Sequence, residues 1–344
     1  MFFRSICATA LAFAATVLTV SPAIAQGETF ASYLDAVAQK ARGEGVRQST
    51  IDRVFSGLTP NERVLALDRD NVSSGSSVNP ATGFPWLSSY LNRHNTQARI
   101  TGGRRKLAEV RGLAAGVEAQ YGVPAQILVS IWGHETAYGA VKGSFDLPRS
   151  LATLAWEGRR RDLFEKELIA VLKIADSGVA RDQLVGSWAG AFGNPQFLPS
   201  VYLRLAVDGD GDGDKDIWNS DIDTLHSIAN YFKMHGWRTA EPWAVRAFVP
   251  NSADRTGIES QVVSPVCPRV HERHSRWLTV KEWRERGITP LAPIGDDVLT
   301  ALFEPDGPAE PGYLLTQNYK VILEYNCSNY YAMSVGLLAD EIAR

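Results

Sequence analysis

Apolar residues recur at three- and four-residue steps along most of the chain, and this spacing predicts a succession of amphipathic helices. Between Thr29 and about Ala66 the buried stripe is Phe30, Leu34, Val37 and Ala41, and the Ser-, Gly- and Asn-rich stretch from Asn71 to Pro80 reads as a surface connection. Helices follow from Trp86 to Arg93 and from Arg104 to Gln120, the second with Leu107, Val110, Leu113 and Val117 as its stripe. Gly143 to Thr153 reads as a loop running into a short helix. Leu163, Leu168, Val171, Leu172 and Ala175 mark another helix, stopped by Gly178. Ser220 caps a further one, with Leu225, Ile228, Ala229 and Phe232 as its stripe, Tyr231 beside it and Gly236 as its stop. After Pro242 the texture changes to short extended runs among Pro, Ser and Gly, which predicts a small β-rich insertion over about 243–322. Within it Thr279 and Glu282 have the capping-box spacing of a short helix. Tyr313 to Leu315 and Tyr319 to Glu324 read as paired strands ended by Asn326, and Tyr330 to Ile342 as a closing helix. The fold class is α+β and mainly α-helical, without internal repeats.

One stretch, Tyr121 to Gly139, combines this periodicity with chemistry. Pro124 suits the first helical turn, Gly139 the left-handed residue that closes a helix, and Ile127, Leu128 and Ile131 form the apolar face between them. One further step of four from Ile131 lands on Glu135, so its carboxyl lies on the apolar face near the negative end of the helix dipole. Desolvation and the dipole both favour the neutral acid. A carboxylic acid still protonated near neutral pH is what a general acid requires.

Composition narrows the setting. The chain has 344 residues, 45% of them hydrophobic, enough for a large core, and a formal charge of −3. Residues 1–25 carry Arg4, an apolar run from Ile6 to Val20 and an Ala23-Ile24-Ala25 cleavage pattern, which reads as a secretory signal peptide. Losing Arg4, its one charge, takes −3 to −4, too little for a field that recruits nucleic acid or an anionic membrane. The run is too short to span a bilayer. Mature protein keeps Cys267 and Cys327, and an exported compartment favours their pairing.

Two further segments are candidates for binding. Gly186 to Ser200 alternates small residues with aromatics and amides, a texture that lines a surface rather than fills a core. From Asp208 to Asn219, Asp208, Asp210 and Asp212 occupy positions one, three and five of an EF-hand-like calcium loop with Gly213 at six. Asp214 is a further candidate calcium ligand, Lys215 and Asn219 depart from the pattern at positions eight and twelve, and Asp223 is the carboxylate expected to swing in. His271 and His274 lack zinc-helix spacing and read as surface or interface polar packing, and no nucleotide or serine-hydrolase motif is present.

Taken in order, Gly133 to Gly139, Gly186 to Phe197, the Asp208 loop, Ala229 to Phe232, and Tyr325-Asn326 to Tyr331 resemble the motifs of the B-type lytic murein transglycosylases. The resemblance runs from about residue 30 to the end. It implies a lysozyme-like helical catalytic region over 26–344, with a core at about 84–242 plus the closing helix at 330–344 and the β-rich insertion between them. It implies Glu135 as the single catalytic acid. Ser187, Gln196 and Phe197 fall on the family's groove-lining segment, and Tyr90, Tyr231, Asn326 and Tyr331 on its sugar-contacting positions. Asn194-Pro195 before Gln196 departs from the usual pattern, and neither a lipid-attachment cysteine at the cleavage site nor an appended wall-binding module is expected.

On this reading the protein is a soluble periplasmic enzyme that cleaves the bond between N-acetylmuramic acid and N-acetylglucosamine without water, leaving a 1,6-anhydromuramyl end. Its cofactor is a structural Ca²⁺, with no organic cofactor. Its partner is the peptidoglycan glycan strand, with cell-wall synthesis or division complexes as the assemblies to consider. A hydrolytic goose-type lysozyme and a non-catalytic wall-binding protein are the alternatives. An intact Glu135 argues against the second, and product chemistry separates the first.

Overall fold

The computed structural model describes residues 28–70, 79–267, 269–308 and 310–344. Residues 1–25, expected to be a signal peptide, and most of the Asn71 to Pro80 connection lie outside the described residues.

The first helical block forms as the stripe demands. Phe30–Gly43, capped by Thr29, is followed by Gln48–Phe55 and Glu62–Asp70, and Phe30, Leu34, Val37 and Ala41 are buried. These helices pack on Leu147–Glu157 and Arg161–Asp176, sharing one apolar core with Phe192, Phe197, Ile217 and Trp218. A second core joins Leu87–His94, Arg111–Tyr121, Ala125–Thr136, Asp221–Met234 and Asn329–Ala343. Tyr325 packs against both cores, so the seam between them runs past its ring.

The predicted helix from Arg104 to Gln120 is two. Gln97–Glu109, capped by Thr96, meets Arg111–Tyr121 at Val110, and the bend leaves Leu113 44% exposed. Burial of Val110 and Val117 in the second core fixes that break, which the stripe alone does not reveal.

Five antiparallel strands lie in the order Trp277–Thr279, Leu299–Phe303, Gly312–Leu315, Ala244–Phe248, Thr289–Pro290. Tyr313 and Leu315 face the helical core while Leu314 faces a small core of Val245, Leu278 and Trp283. Burial on both faces explains why that strand reads as a continuous apolar run. The Thr279 capping box forms as expected, with both reciprocal hydrogen bonds.

Tyr319 to Glu324 is not a strand. It belongs to the helix Gln317–Asn326, whose cap Thr316 accepts from Asn318 N at 3.1 Å. Its β-branched and aromatic residues suit a strand locally, but Tyr319, Val321, Ile322 and Leu323 are all buried in the helical core, and packing overrides propensity. Cys267 and Cys327 are bonded, with Cα atoms 5.2 Å apart. The bridge reaches the left-handed residue that ends this helix. His271 and His274 are buried, so of the two expected placements the interface holds: His274 Nε2 meets Asn329 Oδ1 at 2.6 Å, tying the insertion to the root of the closing helix.

Candidate active site

Glu135 sits in the last turn of Ala125–Thr136, a helix buried continuously from Ile127 to Gly133. The expected closing glycine is not the cap. Ala137 takes the left-handed cap conformation, and Tyr138 and Gly139 continue it. Thr136 secures this turn. Its hydroxyl donates to Asn194 O at 3.0 Å and accepts from Gly139 N at 3.1 Å, joining the Glu135 helix to the Gly186 to Ser200 segment.

Burial raises the Glu135 carboxyl to about 7, against the opposing pull of a Tyr331 hydrogen bond and the Arg99 charge. The Tyr331 hydroxyl donates to Glu135 Oε1. Its own pKa lies well above the usual phenol value, first through burial and then through the Glu135 charge, so it stays a donor. Next door, His134 is pushed down to about 3 by burial and by Arg99, and this neutral ring lies 3.2 Å from Ser334 Oγ. The groups acting on Glu135 are thus a phenol and a guanidinium, not a second carboxylate.

Aromatic rings gather around this carboxyl. Tyr90 stacks on His94 at 4.0 Å and feels the Glu135 charge. Tyr231 stacks on His235 at 3.9 Å, donates to Glu324 O at 3.1 Å, and meets Tyr325 at 4.7 Å. Phe197 lies 6.0 Å from Tyr231 and 6.1 Å from Tyr325. Gln196 is held in the left-handed region (φ 50°) with its side-chain amide donating to Gly193 O at 2.9 Å, a strained placement of the kind that collects at binding sites. Ser187 Oγ accepts from Ala191 N at 2.9 Å within the same segment, and Asn326 is exposed at the end of its helix. Arg99 carries no signal in the sequence, and Tyr325 stands there only as part of a motif, with no role assigned. Tyr325 donates to Pro195 O at 2.6 Å and its pKa is raised well above the usual value by burial and then by Glu135. Its adjacency to Asn326 was the available signal.

At the acidic loop, oxygens of Asp208, Asp210 and Asp212 lie within 4.8 Å of one another, and an all-oxygen set of this charge fits a hard cation. Asp208 also accepts from Gly211 N at 2.6 Å and Gly213 N at 3.0 Å, which curls the loop. Asp223 does not swing in. It is buried and spends its two oxygens on Gly209 N and Asp216 N, each at 2.7 Å, bracing the loop from inside. Asp214 also stands outside the cluster. A hollow of about 430 Å³ lies on the flank of the acidic loop, lined by Gly213, Asp214, Lys215, Asp216 and Trp218, and one of about 520 Å³ lies beside Trp243 and Asp340; Glu135 lines neither.

A family model described as the transglycosylase SLT domain matches residues 29–340. The chain is 30% identical over 316 residues to the membrane-bound lytic murein transglycosylase B of Escherichia coli (strain K12), covering 90% of this chain and 81% of that protein. Among solved structures it is similar to SltB3 from Pseudomonas aeruginosa in complex with NAG-anhNAM-pentapeptide. The TM-score is 0.80 at 35% identity, covering 92% of this chain and 80% of that one. It is also similar to the Escherichia coli lytic transglycosylase Slt35 in complex with calcium, with TM-score 0.73, 27% identity and 90% and 92% coverage. A buried carboxyl of raised pKa among aromatic rings on a helical scaffold agrees with these likenesses, and the chain belongs to the transglycosylase SLT-domain family, as a B-type lytic murein transglycosylase that acts on peptidoglycan.

Proposed function

We propose that Glu135 acts alone as general acid and then as base in non-hydrolytic cleavage of the N-acetylmuramic acid to N-acetylglucosamine bond. The neutral carboxyl gives its proton to the glycosidic oxygen as the bond to muramyl C1 breaks, releasing the acetylglucosamine 4-hydroxyl. The muramyl C6 hydroxyl then bonds to C1, and the Glu135 carboxylate takes back the hydroxyl proton. The product is a 1,6-anhydromuramyl end, and the enzyme returns to its starting state. Intramolecular attack needs neither a protein nucleophile nor an activated water, in contrast to the two-carboxylate arrangement of most glycosidases.

The observation that carries this reading is the carboxyl held near pKa 7 beside one phenol and one cation. Tyr331 and Arg99 stabilise the carboxylate during the interval between the two proton transfers. Tyr90, which is only partly buried, offers an apolar face to sugar rings, while Phe197 and Tyr231 are buried and pack against Tyr325, and Ser187, Gln196 and Asn326 offer neutral groups to hydroxyls. Asp208, Asp210 and Asp212 hold a structural Ca²⁺, a reading supported by their clustered oxygens and by a similar protein solved with calcium. The helical core spans about 84–242 with the closing helix, and the sheet is its insertion. The site of action is the periplasm, reached after removal of residues 1–25.

The test is the mass of disaccharide-peptides released from purified murein by wild type and Glu135→Gln. Wild type releases product lighter by one water than the hydrolytic form, and the variant loses at least about 10³-fold in rate. Product ending in a reducing sugar would replace this reading with that of a lysozyme, and an active variant would remove Glu135 from the chemistry.

A further inference from the structure

Three successive residues after Thr136 are left-handed: Ala137 (φ 49°), Tyr138 (φ 62°) and Gly139 (φ 91°). Glycine adopts this region freely, but alanine and tyrosine do so only when their surroundings hold them. Thr136 holds the two flanks through Asn194 O and Gly139 N. Tyr138 is held by its own ring.

That ring turns back under the catalytic helix into a slot made by three glycines. A Cβ at Gly133 would stand 2.6 Å from ring atoms of Tyr138, one at Gly102 would stand 2.9 Å from them, and one at Gly103 would stand 2.4 Å from the Ile342 side chain and 2.7 Å from the Tyr138 hydroxyl. No side chain fits at Gly133 or Gly102 while the ring is there. The hydroxyl donates to Arg99 O at 2.7 Å. Arg99 is the cation acting on Glu135, and its guanidinium donates to His94 O at 2.7 Å and lies 3.5 Å from His134 Nδ1. One ring therefore ties the turn after Glu135 to the helix that supplies its neighbouring charge.

We infer that Tyr138, seated in the slot of Gly102, Gly103 and Gly133, is a positioning residue that locks the left-handed turn and so aims the Glu135 carboxyl at Tyr331 and the scissile oxygen. It rests on the assignment of Glu135 as proton donor. Glu135 lies in the terminal turn, where helices fray first, and Tyr138 is three residues beyond it. Its hydroxyl is committed to a backbone carbonyl and its ring to the slot, so it acts through Glu135 rather than on substrate. Misplacing a reacting group by about 1 Å costs about 10²-fold in rate.

The experiment uses the full chain with purified murein and compares kcat and KM for Tyr138→Ala, Tyr138→Phe, Gly133→Ala and the Gly133→Ala/Tyr138→Ala double variant. Tyr138→Ala is expected to lower kcat about 10²-fold with KM changed by less than about threefold, because the groove rings stay in place. Tyr138→Phe keeps the ring in the slot and recovers at least about tenfold of that loss. Gly133→Ala sets a methyl against the ring and lowers kcat comparably, and the double variant is no worse than the poorer single one, since both remove one device. Wild-type kcat in Tyr138→Ala, a Phe variant as poor as Ala, or losses that multiply in the double variant each overturn the inference. If Tyr138→Ala does not fold, Gly133→Ala carries the test, because alanine is the better helix former at that position. Unchanged kcat in Gly133→Ala then overturns it. An inactive Glu135→Gln beside a fully active Tyr138→Ala defeats this inference alone, whereas an active Glu135→Gln defeats the reading beneath it.

Discussion

Glu135→Gln tests the site through folding stability as well as through catalysis. Burial lifts the carboxyl from an ordinary 4.5 to about 7. Below 4.5 the group is neutral in folded and unfolded chains alike, and its favourable contribution is complete. Between 4.5 and about 7 the unfolded chain ionises first, so stability falls as pH rises, and above about 7 the full loss is present. That gap, at about 1.4 kcal/mol per pH unit, corresponds to about 3 kcal/mol. Partial exposure of Glu135 and solvent screening bring it to about 2 kcal/mol. Glutamine keeps the shape, still accepts the Tyr331 hydroxyl, and never ionises. The variant should therefore match wild type at about pH 4 and exceed it by about 2 kcal/mol at about pH 8. For a chain of this length that is about 4 °C in melting temperature. Scanning calorimetry of both proteins across this range, at fixed salt, reads the difference directly. Melting curves that superimpose at every pH, or a variant less stable at high pH, would show that the carboxyl is not desolvated and would refute the argument for its acidity.

Tyr331→Phe removes a donor that favours the ionised form of Glu135, so the acid should persist to higher pH. A charged hydrogen bond of about 1.5 kcal/mol corresponds to about one pH unit in the descending limb of the rate profile, and a limb that stays or moves down refutes the coupling. Millimolar calcium should raise the melting temperature and chelator reverse it, with about 2.7 kcal/mol at a hundredfold excess over the dissociation constant. Asp212→Asn should blunt that response, and an unmoved wild-type curve counts against the site. Reducing the Cys267–Cys327 bond should cost about 2 to 4 kcal/mol in stability. Two titratable thiols in denatured, unreduced protein would contradict the pairing.

The sequence by itself determined what depends on neighbours a few residues away. The helix carrying Glu135 follows from Ile127, Leu128 and Ile131, the Ser220 and Thr279 caps from a hydroxyl placed ahead of an apolar run, and the spacing of Asp208, Asp210 and Asp212 from a turn marked by glycines. Those choices are local, and each is visible as a period or a cap. Tertiary structure decided the rest. Tyr331 reaches Glu135 across 196 residues, and no local pattern carries that pairing. Asp223 braces backbone amides instead of completing the acidic cluster, because a buried carboxylate is satisfied by the nearest unpaired donors. Tyr319 to Glu324 is helical because all its apolar residues can be buried at once in the core only in that form, although their types suit a strand. The closing turn at Ala137 and Tyr138 runs against local preference. It exists because glycines on two separate helices leave room for one ring, and only the assembled fold brings those helices together.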